Sequence, residues 1–418
     1  MADRQSEIED DGDPSALSVA EATARILSAL EPLAGRERVA AREAFGRIVA
    51  ADVAAPMDVP RFRASAMDGY ALREADCGAP LRVVGRSLAG HPFEGPLPEG
   101  GCVRITTGAR VPDEADTVVQ QENVALEADV VRVTVKPGAG LHVRAIGSDS
   151  ARGQVLVAGG TRLAAADLAV LAAHGASDVE VLRPLRLALF STGDELVEPG
   201  GTLGPGQIHD ANRALLRSLL EEPAVAVDDL GICGDTREAL ERAFAAAGSA
   251  DVIVSSGGVS VGEADHVRAA LESRGQLALW KIAMKPGRPL TFGSTADGQA
   301  FFGLPGNPVS AAITALMFVR PALDRLLGTR GRATPPLSAR LEGTLHKRPG
   351  RVEFQRGVLS TDEEGRAVVA TTGLQDSHVL ASLQRANCLI ELPLASRGAA
   401  HGDLVSVHPF TAFARSPL

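Results

Sequence analysis

Apolar residues recur at helical spacing over 18–30, with Ser18 placed to cap the helix. The stretch 39–51 carries similar spacing and predicts a second helix. From about Ala54 the period shortens. Alternating runs at 81–84 and 130–135 stand between Gly/Pro clusters, which predicts a small β-rich unit ending near Asp149. Helical spacing returns over 163–175, so the β-rich stretch reads as an insertion between two parts of one helical unit.

Regular alternation of strand and helix begins at Leu185. Apolar runs at 185–190, 224–230 and 251–254 predict strands; 210–222, 236–247 and 264–274 predict the helices that follow them. Strands at 277–284 and 300–303 and a long helix over about 308–327 complete the series. Such alternation implies a doubly wound parallel sheet, whose ligands bind beyond the carboxyl ends of the strands. After a linker-like stretch at 331–336, short strands at 367–371 and 404–407 predict a separate β domain. The expected fold is therefore multidomain α/β. It has a disordered acidic tail (1–14), a discontinuous helical linker domain (15–50 and 150–182) and a β-rich inserted domain (51–149). An α/β domain (183–330) and a C-terminal β domain (331–418) follow.

Composition narrows the function. A chain of 418 residues exceeds one ordinary core, and its 45% hydrophobic and 22% charged residues are those of a globular protein. A net charge of -10 argues against broad binding to nucleic acid or anionic membrane. No apolar run spans a bilayer, and the polar N-terminal segment lacks the apolar core of a secretory signal, so a cytoplasmic location is expected. Cys77, Cys102, Cys233 and Cys388 form no CxxC pair and read as free thiols. The nine histidines form no zinc pattern, whereas a hard-cation site built from carboxylates stays open.

Candidate chemistry gathers at the predicted strand ends. Ser255-Ser-Gly-Gly-Val-Ser-Val-Gly-Glu-Ala-Asp265 follows the third strand of the series and lets backbone N–H groups approach a phosphate. The carboxylates at its end require a cation between them and that phosphate. Ser191-Thr-Gly-Asp-Glu195 follows the first strand, and Asp235 follows the second. Asp194 and Asp235 also suit helix caps or turns. Only four lysines occur, and two of them, Lys281 and Lys285, are four apart beside the sole tryptophan, Trp280. A regular strand puts both on one face, either converging on an anion or lining an exposed edge. Pro286-Gly-Arg-Pro289 and Pro305-Gly-Asn-Pro308 are rigid turns, and the second opens a helix. An anion held by glycine amides and lysines, with Mg²⁺ held by acids, suits phosphoanhydride cleavage or phosphoryl and nucleotidyl transfer. There is no Walker lysine and no dinucleotide glycine pattern.

The strand-end loops, with Gly303-Leu-Pro-Gly-Asn-Pro308, resemble the molybdopterin-binding domain. Ser65-Ala-Met-Asp-Gly-Tyr-Ala71 and Thr107-Gly-Ala109 make the resemblance more specific, to the molybdopterin molybdotransferase family that includes the gephyrin E domain. The resemblance implies an enzyme that inserts molybdate into adenylylated molybdopterin and cleaves the adenylate with Mg²⁺, giving molybdenum cofactor and AMP. It implies a homodimer whose active site lies between the α/β domain of one subunit and the inserted domain of the other. Carried over residue by residue, Asp235, Asp265, Lys281, Lys285 and Asp68 become catalytic, and Glu195, Asp235 and Asp265 become metal ligands. Thr107, Arg144, Asp149, Ser191, Thr192, Gly193, Gly257, Gly258, Ser260, Gly262, Pro305, Asn307, Pro308 and Ser377 become substrate-binding. Ser377-His378 and Ser382-Leu383 resemble a segment near the cleft, although Asp376 stands where the family usually has glycine. Expected partners are the two substrates, a second copy, the molybdopterin adenylyltransferase and recipient molybdoenzymes. Two other readings share the α/β module: a molybdopterin adenylyltransferase, which lacks the Ser65–Ala71 segment, and a non-enzymatic scaffold, which has no need of the acid and lysine set.

Overall fold

The computed structural model describes residues 13, 15–257, 275–329 and 335–410. The tail expected at 1–14 lies almost wholly outside them, and so does the helix expected at 264–274.

A six-stranded sheet forms the centre of the α/β part. Its order is Val225–Cys233, Leu185–Thr192, Val252–Ser256, Ala300–Leu304, Pro289–Thr295, Gly275–Lys281. The first four run parallel. Alternate residues of the central strands feed opposite cores. Leu187, Leu189, Val254 and Phe302 pack beneath the helices Asn212–Leu220 and Pro308–Thr314. Phe190, Ile253 and Phe301 pack against Leu240 and Phe244 of Arg237–Ala246 on the other face. Covered on both sides, these strands are continuous apolar runs rather than alternating ones.

The sheet is mixed at one end. Pro289–Thr295 is antiparallel to both of its neighbours. The hairpin returns through a tight turn in which the Thr295 N–H donates to the Gln299 carbonyl (2.9 Å), and Asp297-Gly298 is its sequence signal. The strand escapes periodicity because Gly293 and Ser294 interrupt its apolar pattern.

The second helix expected at 39–51 does not form. Arg36–Ala40 is instead a strand paired antiparallel with Asp178–Leu182, Ala41–Glu43 is a single 3-10 turn, and Ile48 and Val49 bridge to Arg162 and Val181. β-branched Val39, Ile48 and Val49 prefer this pairing, and tertiary context overrides their helical spacing. Val19–Ser28 forms as expected. Ser18 and Glu21 close a capping box, and Ala22 and Ile26 join the core beside Arg320–Leu326.

The inserted part is a six-stranded sheet in which Gly69–Leu72 lies between Thr117–Gln120 and Gly101–Ile105. The C-terminal part closes on itself. Val352–Thr361 pairs with both Ala367–Thr371 and Cys388–Leu392, and Leu337–Glu342 and Leu404–Pro409 complete a five-stranded ring. Closure leaves no exposed edge in that ring. Met284–Lys285 leaves the α/β sheet to pair with Val352 and Glu353, so the barrel abuts the strand ends. Cys102, Cys233 and Cys388 are buried, Cys77 is half-buried, and all four are free.

Candidate active site

A cavity of about 530 Å³ opens at the carboxyl ends of the parallel strands. Thr192, Gly193, Glu195, Asp210, Asp235, Gly257, Asn307 and Pro308 line it, with His378 from the C-terminal part. The sheet itself explains this convergence, because parallel strands deliver all of their exit loops to one edge. Gly257 has φ +91°, and a Cβ there would lie 2.4 Å from the Thr192 carbonyl oxygen. Gly257→Ala should therefore lower stability by about 2 kcal/mol and widen this edge of the cavity. Denaturant unfolding alongside substrate binding checks both effects.

The acids group on one wall. The Asp235 N–H donates to Asp194 Oδ1 (3.3 Å), which draws the first and second exit loops together. Asp210 is buried; its Oδ1 accepts from the Arg213 N–H (3.1 Å), while its Oδ2 takes no hydrogen bond. Asn212 ties the third and fourth exit loops by donating to Ser256 Oγ (2.8 Å) and the Gly306 carbonyl (2.6 Å). Carboxylate oxygens of Glu195 and Asp235 sharing one cavity are hard donors and fit Mg²⁺. Among the described residues no group of three potential ligands already converges. The third expected ligand, Asp265, lies outside the described residues, as do Gly258, Ser260 and Gly262.

A second cavity of about 370 Å³ shares Gly306 and Asn307 with the first. It is lined by Lys285, Arg288, Pro305, Arg351 and Ser377, so the groove changes from acidic to basic across one wall. Lys281 and Lys285 do not lie on one strand face as their spacing predicts. The chain leaves the sheet between them, with Ile282 and Met284 fully buried. Lys285 reaches Glu353 (3.3 Å), while Lys281 and Arg288 share Asp13 (3.0 and 3.2 Å). Lys281 lines neither cavity.

The 374–378 loop closes the groove from the barrel side. Buried Arg356 anchors it, donating to Ser382 Oγ (3.0 Å) and to the carbonyls of Leu374 (3.5 Å) and Asp376 (3.2 Å). Burial pulls this guanidinium down to about 10. The Ser377 carbonyl accepts the Val309 N–H (3.2 Å), fixing the loop to the helix that Asn307-Pro308 opens. Ser382 and Leu383 are buried beneath the loop rather than in the groove. Ser191 is likewise buried in its strand, with Oγ unbonded.

In the inserted part, Asp68 and Thr107 meet. Asp68 Oδ1 accepts from the Thr107 N–H (2.7 Å) and Oγ1 (2.8 Å), and these two bonds hold its carboxyl below the usual range. Arg144 pairs with Ala64 on the neighbouring segment, and the Asp149 N–H donates to Val59. Both side chains are exposed. None of these four lines the strand-end cavity. Arg288, Arg351 and Arg356 were not singled out from sequence. Pro286-Gly-Arg-Pro289 read as a rigid turn only, and arginine is too abundant in this chain for one to stand out.

Comparison with known proteins covers the chain in three stretches. Residues 17–175 match the MoeA N-terminal region (domain I and II), 188–325 match a probable molybdopterin binding domain, and 338–410 match the MoeA C-terminal region (domain IV). A molybdopterin molybdenumtransferase of Haemophilus influenzae is 41% identical over 94% of this chain and 98% of its own length. One from Nostoc is 36% identical over 87% of this chain and 86% of its own. Gephyrin of Dictyostelium discoideum is 32% identical over 85% of this chain and 57% of its own. Two crystal structures of the molybdopterin biosynthesis moeA protein of Pyrococcus horikoshii match with TM-scores of 0.78 and 0.81, at 32% and 27% identity. They cover 95% and 94% of this chain and 99% and 100% of theirs. The chain belongs to the molybdopterin molybdenumtransferase family, transferases of molybdenum cofactor biosynthesis with MoeA and gephyrin among its relatives.

Proposed function

We propose that this protein inserts molybdate into adenylylated molybdopterin and releases AMP, in a Mg²⁺-dependent reaction at the strand-end groove. One observation carries the reading: the acidic and basic cavities share the Gly306-Asn307 wall. A phosphoanhydride and a tetrahedral oxyanion can therefore lie side by side. Glu195 and Asp235, with Asp265, would hold Mg²⁺, which supplies charge neutralisation at the phosphoanhydride oxygens. Thr192, Gly193 and Gly257 form the backbone edge against which the phosphates lie. Asn307, at the start of its helix, adds the positive end of a helix dipole. Lys285 and Arg288 face the oxyanion and offset its charge while the leaving AMP phosphate gains its own.

The reading extends to a homodimer in which the Asp68–Thr107 segment of one subunit meets the groove of the other. The cytoplasm is its expected compartment. Free cysteines and the lack of any described helix able to cross a membrane agree with that location. The molybdopterin adenylyltransferase would supply the substrate and recipient molybdoenzymes would take the product.

The deciding assay supplies adenylylated molybdopterin, Mg²⁺ and molybdate to the purified protein, then measures AMP and bound molybdenum. AMP release stimulated by molybdate is the expected result, and its absence rejects the proposal. Consumption of ATP with formation of an adenylylated product would favour the adenylyltransferase reading instead.

A further inference from the structure

One guanidinium stands behind the acidic wall of the groove. The Arg213 side chain is 8% exposed and meets three carboxylates from three different segments. It donates through Nη2 to Glu198, and Nε lies 3.0 Å from Asp229 Oδ1 and 3.8 Å from Asp210 Oδ2 as ion pairs. Each of those segments delivers one residue of the cavity wall. Glu198 ends the turn that carries Glu195, and that turn is tied to 208–210 through Ile208 N–H to Glu195 carbonyl (2.9 Å) and Asp210 N–H to Val197 carbonyl (3.0 Å). Asp210 itself lines the cavity. Asp229 lies on the strand that exits at Cys233 toward Asp235.

The strand bulges beside this side chain. Between Asp229 and Ile232 it carries an extra residue against its partner, where the register slips opposite Leu189–Ser191. Gly231 sits in that bulge at φ +82°, and a Cβ there would lie 3.5 Å from Arg213 Nη1. The bulge thus lies against the guanidinium and re-aims the strand four residues before Asp235. Without the arginine, three carboxylates would face one another, one of them buried, and their repulsion would spread the turn from the strand. Arg213 does not line the cavity, so it acts through the residues it holds.

We propose that Arg213 is a positioning residue whose single guanidinium holds together the segments that carry Glu195 and Asp235, the two described carboxylates read as cation ligands. The inference rests on the proposed reading of Glu195 and Asp235 as cation ligands. Glu198 is its exposed handle, at 57% side-chain exposure, and can be removed without opening a core.

Mn²⁺ binding to the dimer without molybdopterin, followed by electron paramagnetic resonance, reads the spacing directly, and Glu195→Gln identifies the cleft-bound ion. Glu198→Ala and Arg213→Lys should each weaken that ion about ten-fold, because a lysine keeps the charge but cannot span three partners. The Tm of Glu198→Ala should stay within ~2 °C of wild type, since a surface change is worth only tenths of a kcal/mol. Wild-type binding matched by unchanged binding in both variants overturns the positioning role alone. Absence of any Glu195-dependent ion in the wild type overturns the ligand reading and this inference with it.

Discussion

Asp235→Asn should reduce molybdate-stimulated AMP release by about two to three orders of magnitude, the scale of removing one well-placed electrostatic group from an active site. The substitution is nearly isosteric. Asp235 is half-buried at the mouth of the second exit loop, and its backbone N–H bond to Asp194 is untouched by the change. What the amide removes is charge. Glu195 would then be the only described carboxylate left of the three proposed to hold Mg²⁺, and an amide oxygen is a poor replacement where the ion must offset phosphoanhydride charge. Single-turnover AMP release across a Mg²⁺ titration separates lost binding from lost chemistry. An Asp235→Asn protein that turns over like wild type at every Mg²⁺ concentration would remove Asp235 from the reaction.

The placement of Thr192, Glu195, Asp235 and Gly257 was legible in the sequence because one rule covers all of them. Residues just past parallel strands must share an edge, whatever the helices between them do. The lysine pair shows where such reasoning stops. Period-2 geometry applies only while a strand continues, and nothing local marks Ile282 as the point where the chain leaves one sheet for the neighbouring barrel. The stretch 39–51 fails for a related reason. Its spacing is helical, but a partner strand at 178–182, more than a hundred residues away, was not visible from within it. Arg213 and Arg356 escaped because their importance lies in burial and in what they hold, and a sequence records neither. The pairing of Asp68 with Thr107 is a different case. Its chemistry was readable only through family resemblance, yet the two bonds to Asp68 Oδ1 give it an independent physical basis.

That pair leads to the second large effect. Asp68→Ala and Lys285→Ala should each abolish most turnover as pure homodimers, and a 1:1 mixture of refolded or co-expressed chains should recover about a quarter of wild-type activity. The value follows from the two-fold symmetry of the proposed homodimer. Random pairing makes half of the dimers mixed. In a mixed dimer one groove combines the intact Lys285 of one chain with the intact Asp68 of the other, and the second groove carries both lesions. One chain holds these residues apart: Lys285 lines the basic cavity beside the barrel, whereas Asp68 is bonded to Thr107 in the inserted sheet and lines neither cavity. A site confined to one chain gives a different result. Every groove would then carry one lesion or the other, and mixing would restore nothing. Differential tags that isolate the mixed dimer raise the expected recovery to about half of wild type, since one of its two grooves is whole. Isolated mixed dimers that stay as inactive as their parents would exclude the shared groove and return Asp68 to a structural role, capping the Thr107 turn.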